Sequence, residues 1–159
     1  MDRLRHWVAD TELPPLIVAT GTEVVDRNGK LLRAYQVADG RWRLAVNVAE
    51  VDPRFISMLI AFEDKRFYRH QGLDLWAMSR AAFQAAWNGR VVSGGSTLTM
   101  QVARLLEDGT TGKWAGKIRQ IRVALAMEQQ LSKREILKLY LQTAPYGGNG
   151  YGRDGLRSG

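Results

Sequence analysis

The sequence predicts a mainly α-helical domain preceded by a small β-hairpin segment. Three observations carry that expectation. From Pro53 onward, apolar residues recur at helical spacing. Upstream, two β-prone stretches flank the turn pair Asn28-Gly29. Hydrophobic residues make up 45% of the 159, an ordinary globular share that argues against disorder. A compact chain of this length buries roughly 70% of its unfolded surface, enough for one core.

In chain order, residues 1–22 read as a loose lead-in punctuated by Pro14-Pro15. Residues 23–50 read as the β segment, with a two-residue hairpin turn at Asn28-Gly29 and a further extended piece over 42–48. Helices are expected at 53–69, 73–88, 97–107, 115–131 and 133–143. The second carries Leu75, Met78, Ala82 and Ala85 in phase and stops at Asn88-Gly89. The third opens after Gly94-Gly95-Ser96-Thr97 and carries Leu98, Val102 and Leu105 on one face. The fourth is apolar on two sides, along Gln120, Ala124 and Met127 and along Ile118, Ile121 and Leu125, which predicts substantial burial. Glu128 ends the second of these stripes. A buried Glu is seldom unpaired, so Lys133 or Arg134 is its expected partner. In the fifth helix Ser132 and Glu135 spell a capping box. After Tyr146 the chain is glycine-rich with little to bury. Residues 51–149 therefore read as the N-terminal part of a larger domain, and 150–159 as a truncation.

Charge and composition narrow the partners. Lys and Arg outnumber Asp and Glu by 23 to 16, a formal net charge of +7. Such a surplus favours polyanions: nucleic acid, acidic lipid headgroups or a phosphorylated substrate. The absence of cysteine removes disulfides, thiol catalysis and thiolate zinc sites. With only His6 and His70, a His-rich metal site is also excluded. No apolar run approaches the ~20 residues that cross a bilayer, and the first ten residues lack the form of a signal peptide.

Three constellations could carry chemistry. The first is the segment from Glu63 to Gly72. On a continuous helix Glu63, Phe67 and His70 share one face, and a carboxylate beside an aromatic ring is a candidate general base or acid. The plain alternative is a solvated charged turn with Phe67 in the core and His70 as a hydrogen-bonded structural histidine. The second is Ser93-Gly94-Gly95-Ser96-Thr97-Leu98-Thr99-Met100-Gln101. Paired glycines admit a close ligand, and hydroxyls at a helix opening favour anions, as in a phosphate cradle. The lysine and spacing of a P-loop are missing, and an ordinary loop with an N-cap serves equally well. The third is cationic: Arg104, Lys113, Lys117, Arg119 and Arg122.

Together and in this order, these segments resemble the family 51 peptidoglycan glycosyltransferases, the polymerase module of class A penicillin-binding proteins. That family's first motif, Glu-Asp-x-x-Phe-x-x-His-x-Gly, is matched by Glu63, Asp64, Phe67, His70 and Gly72. Its second, Gly-Gly-Ser-Thr-hydrophobic-Thr-x-Gln, is matched by the segment from Gly94 to Gln101. A fourth is matched by Ser132-Lys133-x-Glu135-Ile136-Leu137-x-Leu139-Tyr140-Leu141. The third departs: where the family reads Arg-Lys-x-x-Glu, this chain has Gly116, Lys117 and Gln120.

The resemblance implies a lysozyme-like helical domain, here incomplete, that polymerises lipid II and releases undecaprenyl diphosphate. It implies Glu63 as the catalytic base, with Asp64, Phe67, His70, Ser96, Thr97, Gln101, Arg104, Lys117 and Gln120 as substrate-binding residues. It implies no protein-held metal and no required cofactor, while admitting magnesium at the substrate diphosphate. The implied partners are lipid II, the growing glycan strand, the membrane surface and other cell-wall synthesis proteins, with no nucleic acid. The implied location is the outer, periplasmic face of the cytoplasmic membrane, with the anchor helix outside this chain and the isolated fragment inactive. Leu75, Trp76, Phe83 and Trp87 then read either as core packing or as a face lying in the membrane interface. A lytic transglycosylase-like domain and a basic helical nucleic-acid-binding protein are the alternatives.

Overall fold

The computed structural model describes residues 2–89, 95–107 and 114–145. Ser93, Gly94, Lys113 and the glycine-rich tail, singled out above, lie outside the described residues. In order, the elements are α1 (Asp2–Ala9), β1 (Glu23–Val25), β2 (Leu31–Ala34), α2 (Pro53–Glu63), a short 3-10 turn (Phe67–Arg69), α3 (Leu75–Asn88), α4 (Leu98–Leu106), α5 (Trp114–Gln130) and α6 (Lys133–Thr143).

The lead-in is less loose than expected. α1 packs on α5 with Val8 buried. Arg122 Nε donates to the Trp7 carbonyl at 2.8 Å and to the Thr11 hydroxyl at 2.7 Å, and its guanidinium lies over the Trp7 ring. These partners are over a hundred residues apart in sequence, so local pattern could not reveal the docking.

The hairpin exists, with β1 and β2 antiparallel and Glu23 opposite Ala34. Its turn is three residues rather than two. The Gly29 N–H donates to the Asp26 carbonyl, and Asp26 and Lys30 close the loop through Asp26 N–H. Gly29 takes a positive φ of 80°, and the Asp26 carboxylate accepts from the N–H groups of Asn28 and Lys30. An Asp at the first turn position holds this wider loop together. The extended piece over 42–48 forms no strand. It is tied to the hairpin only by isolated bonds, such as Gly21 N–H to the Arg43 carbonyl and Ala45 N–H to the Glu23 carboxylate.

α2 begins as its sequence demands: Asp52 caps the Arg54 N–H at 2.8 Å, and Pro53 occupies the first turn. It stops at Glu63, six residues before the expected end. Asp64 has φ −157°, and the 3-10 turn follows. Tertiary bonds to the Asp64 carboxylate, described below, outweigh the helical pattern of the sequence.

The core is built on α4. This helix packs against both α5 and α6 and buries Leu98, Val102 and Ala103 against Val123, Met127 and Ile136. Phe67 enters the same cluster and is fully buried. α6 starts at the expected capping box: the Ser132 hydroxyl accepts the Glu135 N–H, and the Glu135 carboxylate accepts the Ser132 N–H at 2.7 Å. The Ser132 hydroxyl also donates to that carboxylate at 2.7 Å, and this bond, followed by the Ser132 N–H, holds the Glu135 carboxyl below its usual range. Glu128 finds its expected partner: Lys133 Nζ lies 2.7 Å from Oε1, and the Thr99 hydroxyl donates to the same oxygen at 2.6 Å. α5 buries Gln120, Val123, Ala124 and Met127; on its other stripe Ile121 and Leu125 are half-buried and Ile118 is exposed. The expectation of burial on two sides thus holds fully for the first stripe and in part for the second, which is open at Ile118.

α3 departs more sharply from core packing. It is capped by Asp74, whose carboxylate accepts the Ala77 N–H, and it ends at Gly89 with φ 62°. None of its residues is buried; Leu75, Trp76, Phe83 and Trp87 all face out, with Trp87 80% exposed. Phe55, Met58 and Phe62 on α2 are exposed too, and Phe62 reaches 88%.

Candidate active site

The end of α2, the turn after it and the opening of α4 converge on one place. Asp64 is the junction. Its carboxylate meets His70 Nε2 at 2.9 Å and accepts the Leu98 N–H at 2.9 Å, so the first motif is clamped to the N-terminus of α4. A carboxylate there also meets the positive end of the helix dipole. Thr97 adds a second clamp: its hydroxyl donates to the Gly72 carbonyl at 2.6 Å and accepts the Met100 N–H as the N-cap. Gly72 must be glycine at this approach. Its φ is +86°, and a Cβ there would lie 2.9 Å from the Ala124 carbonyl oxygen.

The structure alters the part played by four expected substrate-binding residues. Asp64 and Thr97 border the cleft, but their polar atoms are already engaged in holding two segments together. Phe67 is 0% exposed and touches no solvent, so its part is core packing, with the Lys133 ammonium 4.5 Å from its ring centre. His70 is the hydrogen-bonded structural histidine of the plainer reading, and its Nδ1 is buried without a partner. The shared face of Glu63, Phe67 and His70 does not form, because α2 ends at Glu63.

Releasing Glu63 from that face aims it elsewhere. It is half-buried and lines a cavity of about 490 Å³ together with Arg66, Trp76, Arg80 and Ser96. Gln101 Nε2 donates to Glu63 Oε2 at 2.8 Å and fixes its orientation. A second cavity of about 380 Å³ is lined by Ser96, Met100, Gln101, Arg104, Lys117 and Gln120. The two cavities meet at Ser96, whose hydroxyl accepts a bond from Lys117 Nζ at 2.6 Å. Burial, and then the nearby Arg104 charge, push the Lys117 ammonium below the ordinary lysine range. Of the ten residues expected to form the site, Glu63, Ser96, Gln101, Arg104, Lys117 and Gln120 thus come together around one two-lobed cleft.

The arrangement offers a carboxylate in one lobe and two fixed cations with a hydroxyl in the other. Such a pair suits a reaction in which a hydroxyl loses a proton while negative charge builds on a leaving group.

Sequence reasoning missed three contributors. Asp74 and Arg80 line the carboxylate lobe, and Asp74 lies 3.5 Å from Arg66. Asp74 stands directly before the helical run from Leu75, an N-cap signal that could have been read. Tyr140 is buried on α6, and burial together with the Glu63 charge raises its hydroxyl pKa above the usual value. Nothing local in the sequence links Tyr140 to Glu63. Among the described residues, no group of three or more His, Asp or Glu side chains is placed to hold a metal ion, and no helix is long and apolar enough to cross a membrane.

Comparison with known proteins decides the family. The sequence family described as Transglycosylase matches residues 28–155. The chain belongs to the transglycosylase family. Its relatives include penicillin-binding protein 1C of Escherichia coli strain K12, 48% identical over 147 residues, which are 91% of this chain and 19% of that protein. Penicillin-binding protein 1A of Neisseria gonorrhoeae is 32% identical over 96% of the chain and 18% of its own length. Penicillin-binding protein 1F of Bacillus subtilis is 32% identical over 94% of the chain and 20% of its own length. The chain thus spans about a fifth of the length of these curated relatives. As a transglycosylase-family chain it carries the cleft at the junction of the Glu63–Gly72 segment and the opening of α4, with the hairpin's first strand lying outside the matched region.

Proposed function

We propose that this chain is the peptidoglycan glycosyltransferase portion of a penicillin-binding protein, polymerising lipid II into glycan strands. The observation that carries the reading is the two-lobed cleft, with Glu63 on one side of Ser96 and Lys117 and Arg104 on the other. Glu63 takes the proton from the 4-hydroxyl of the acceptor's N-acetylglucosamine. The freed oxygen attacks the anomeric carbon of the donor's N-acetylmuramic acid from the face opposite the leaving group. As the new C–O bond forms, the bond to the diphosphate breaks and its electron pair leaves with undecaprenyl diphosphate, inverting that carbon. Lys117, Arg104 and Ser96 stabilise the charge gathering there, which is where preorganised cations lower a barrier most. Gln101 keeps the carboxylate aimed through its 2.8 Å bond.

The exposed apolar side chains favour work at a lipid surface. Phe55, Met58 and Phe62 on α2, and Leu75, Trp76, Phe83 and Trp87 on α3, are too many and too large to leave in water without purpose. A helix with Trp on its apolar face and Arg80 nearby suits the headgroup boundary. This supports action at the outer face of the cytoplasmic membrane, where the lipid tail of the substrate would rest against that face. Other cell-wall synthesis proteins are the further partners proposed for the whole protein.

The test is polymerisation of labelled lipid II by the full-length protein, native against Glu63→Gln. Loss of a general base costs ~10²–10⁴-fold. Near-native polymer from the variant would remove Glu63 from the base role.

A further inference from the structure

The cationic lobe is chemically one-sided. Its lining among the described residues is Ser96, Met100, Gln101, Arg104, Lys117 and Gln120, with no carboxylate. The carboxylates of the neighbouring lobe are already engaged: Glu63 with Gln101, Asp64 with His70 and the Leu98 N–H, and Asp74 with the Ala77 N–H and Arg66. Magnesium is a hard cation, bound through one or two carboxylates together with substrate phosphates and water. Two fixed cations and two amides supply neither the charge nor the ligands. The donor set therefore does not fit the magnesium ion that the family resemblance admits at the diphosphate.

Gln120 sharpens the point. It is 4% exposed, lies one turn beyond Lys117 on α5, and lines the lobe. Its side chain makes no hydrogen bond with another described residue. The buried side-chain polar atom left without a partner among the described residues is His70 Nδ1, so the Gln120 amide is open to the lobe that it lines. Ser96 is already paired with Lys117 and Gln101 with Glu63, which leaves the Gln120 amide as an uncommitted donor beside the Arg104 guanidinium. A carboxylate at this position, as in the motif the family carries, would oppose an incoming diphosphate as a like charge. It would also neutralise part of the charge on Lys117 and Arg104. A bridging divalent cation is one way to relieve that repulsion, and an amide removes the need for it.

We propose that Gln120 is a specificity-determining residue of the leaving-group lobe: its amide N–H donates to a diphosphate oxygen, and the lobe takes diphosphate as the bare anion, without a divalent cation. The inference rests on the glycosyltransferase reading for its ligand, and it assigns both a ligating role to Gln120 and a cation requirement to the site.

The experiment is calorimetric titration of inorganic pyrophosphate into the full-length protein, in EDTA and then in magnesium, with lipid II polymerisation measured in parallel. The native protein is expected to bind pyrophosphate in EDTA, and magnesium is expected to bring no gain. Gln120→Ala should lose about tenfold in affinity, the worth of one hydrogen bond to a charged group, and magnesium should not restore it. Gln120→Glu should lose at least as much in EDTA, and magnesium should recover a large part of it. Native binding that requires magnesium would overturn the proposal, as would variants that bind like the native protein in EDTA. The native comparison needs no variant and stands if a substitution unfolds the protein. Polymer formation with magnesium-dependent pyrophosphate binding would defeat this inference alone; absence of polymer from the native protein would defeat the function it rests on.

Discussion

Gly72 is where the site depends most directly on backbone geometry, and the structure sets the size of the effect of changing it. Gly72→Ala places an L-residue at φ +86° and a methyl group 2.9 Å from the Ala124 carbonyl oxygen and 3.3 Å from Glu128 Cγ. The left-handed conformation costs about 1–2 kcal/mol. The overlap with α5 backbone costs about 1–3 kcal/mol more, as overpacking does. A less flexible unfolded chain returns about 0.4–1 kcal/mol. The net is a loss of about 1–5 kcal/mol, by the sum of those terms. Gly89→Ala is the control, since it also has a positive φ, 62°, but nothing within 4 Å of the new methyl. Only the conformational terms apply there, so the difference between the variants isolates the overlap at about 1–3 kcal/mol. Hydrogen exchange of the α4 and α5 amides in the full-length protein reads this directly, because each 1.4 kcal/mol speeds exchange by opening about tenfold. The Gly72 carbonyl also anchors the Thr97 hydroxyl, so polymer yield should fall for Gly72→Ala and hold for Gly89→Ala. Equal protection losses in the two variants would refute the close-approach argument.

Removing the cation at the centre of the second lobe, as Lys117→Met, should lower the turnover of lipid II by ~10²-fold or more, the usual scale for losing one preorganised charge-stabilising group. Ser132→Ala should cost about 1 kcal/mol through the lost cap. Because the Ser132 bonds hold the Glu135 carboxyl below its usual range, the native protein has stability above that range which fades as pH falls through the lowered value. The variant should show a flatter acid limb in melting temperature against pH. Glu128→Ala strands Lys133 beside the Phe67 ring and leaves the Thr99 hydroxyl unanswered. About 3 kcal/mol of stability should be lost in urea unfolding, as when one partner of a buried pair is removed.

Much of the helical layer was legible in the sequence because its signals are local. Ser132 and Glu135 lie three residues apart and cap each other, so reading the chain is enough to find them. Gly89 ends α3 for a reason contained in one residue. The Glu128–Lys133 pair spans five residues across a short connection and was within reach of the same reasoning. The end of α2 was not. Asp64 breaks the helix because its carboxylate is claimed by the Leu98 N–H, thirty-four residues away, and no helical periodicity reports a bond over that distance. The exposure of Trp76, Phe83 and Trp87 was likewise undecidable, since an apolar stripe looks the same whether it meets a core or faces outward.

The sequence by itself determined which residue types are present at which spacing, and that sufficed for the motifs, the helix caps and the family. Only the tertiary structure decided how those residues divide their work. It put Phe67 in the core, turned Asp64 and Thr97 into clamps, and left Glu63, Lys117 and the uncommitted Gln120 facing the cleft. The physical reason is that each polar atom satisfies a limited number of bonds. Which atoms remain available for a substrate depends on partners that chain order does not reveal.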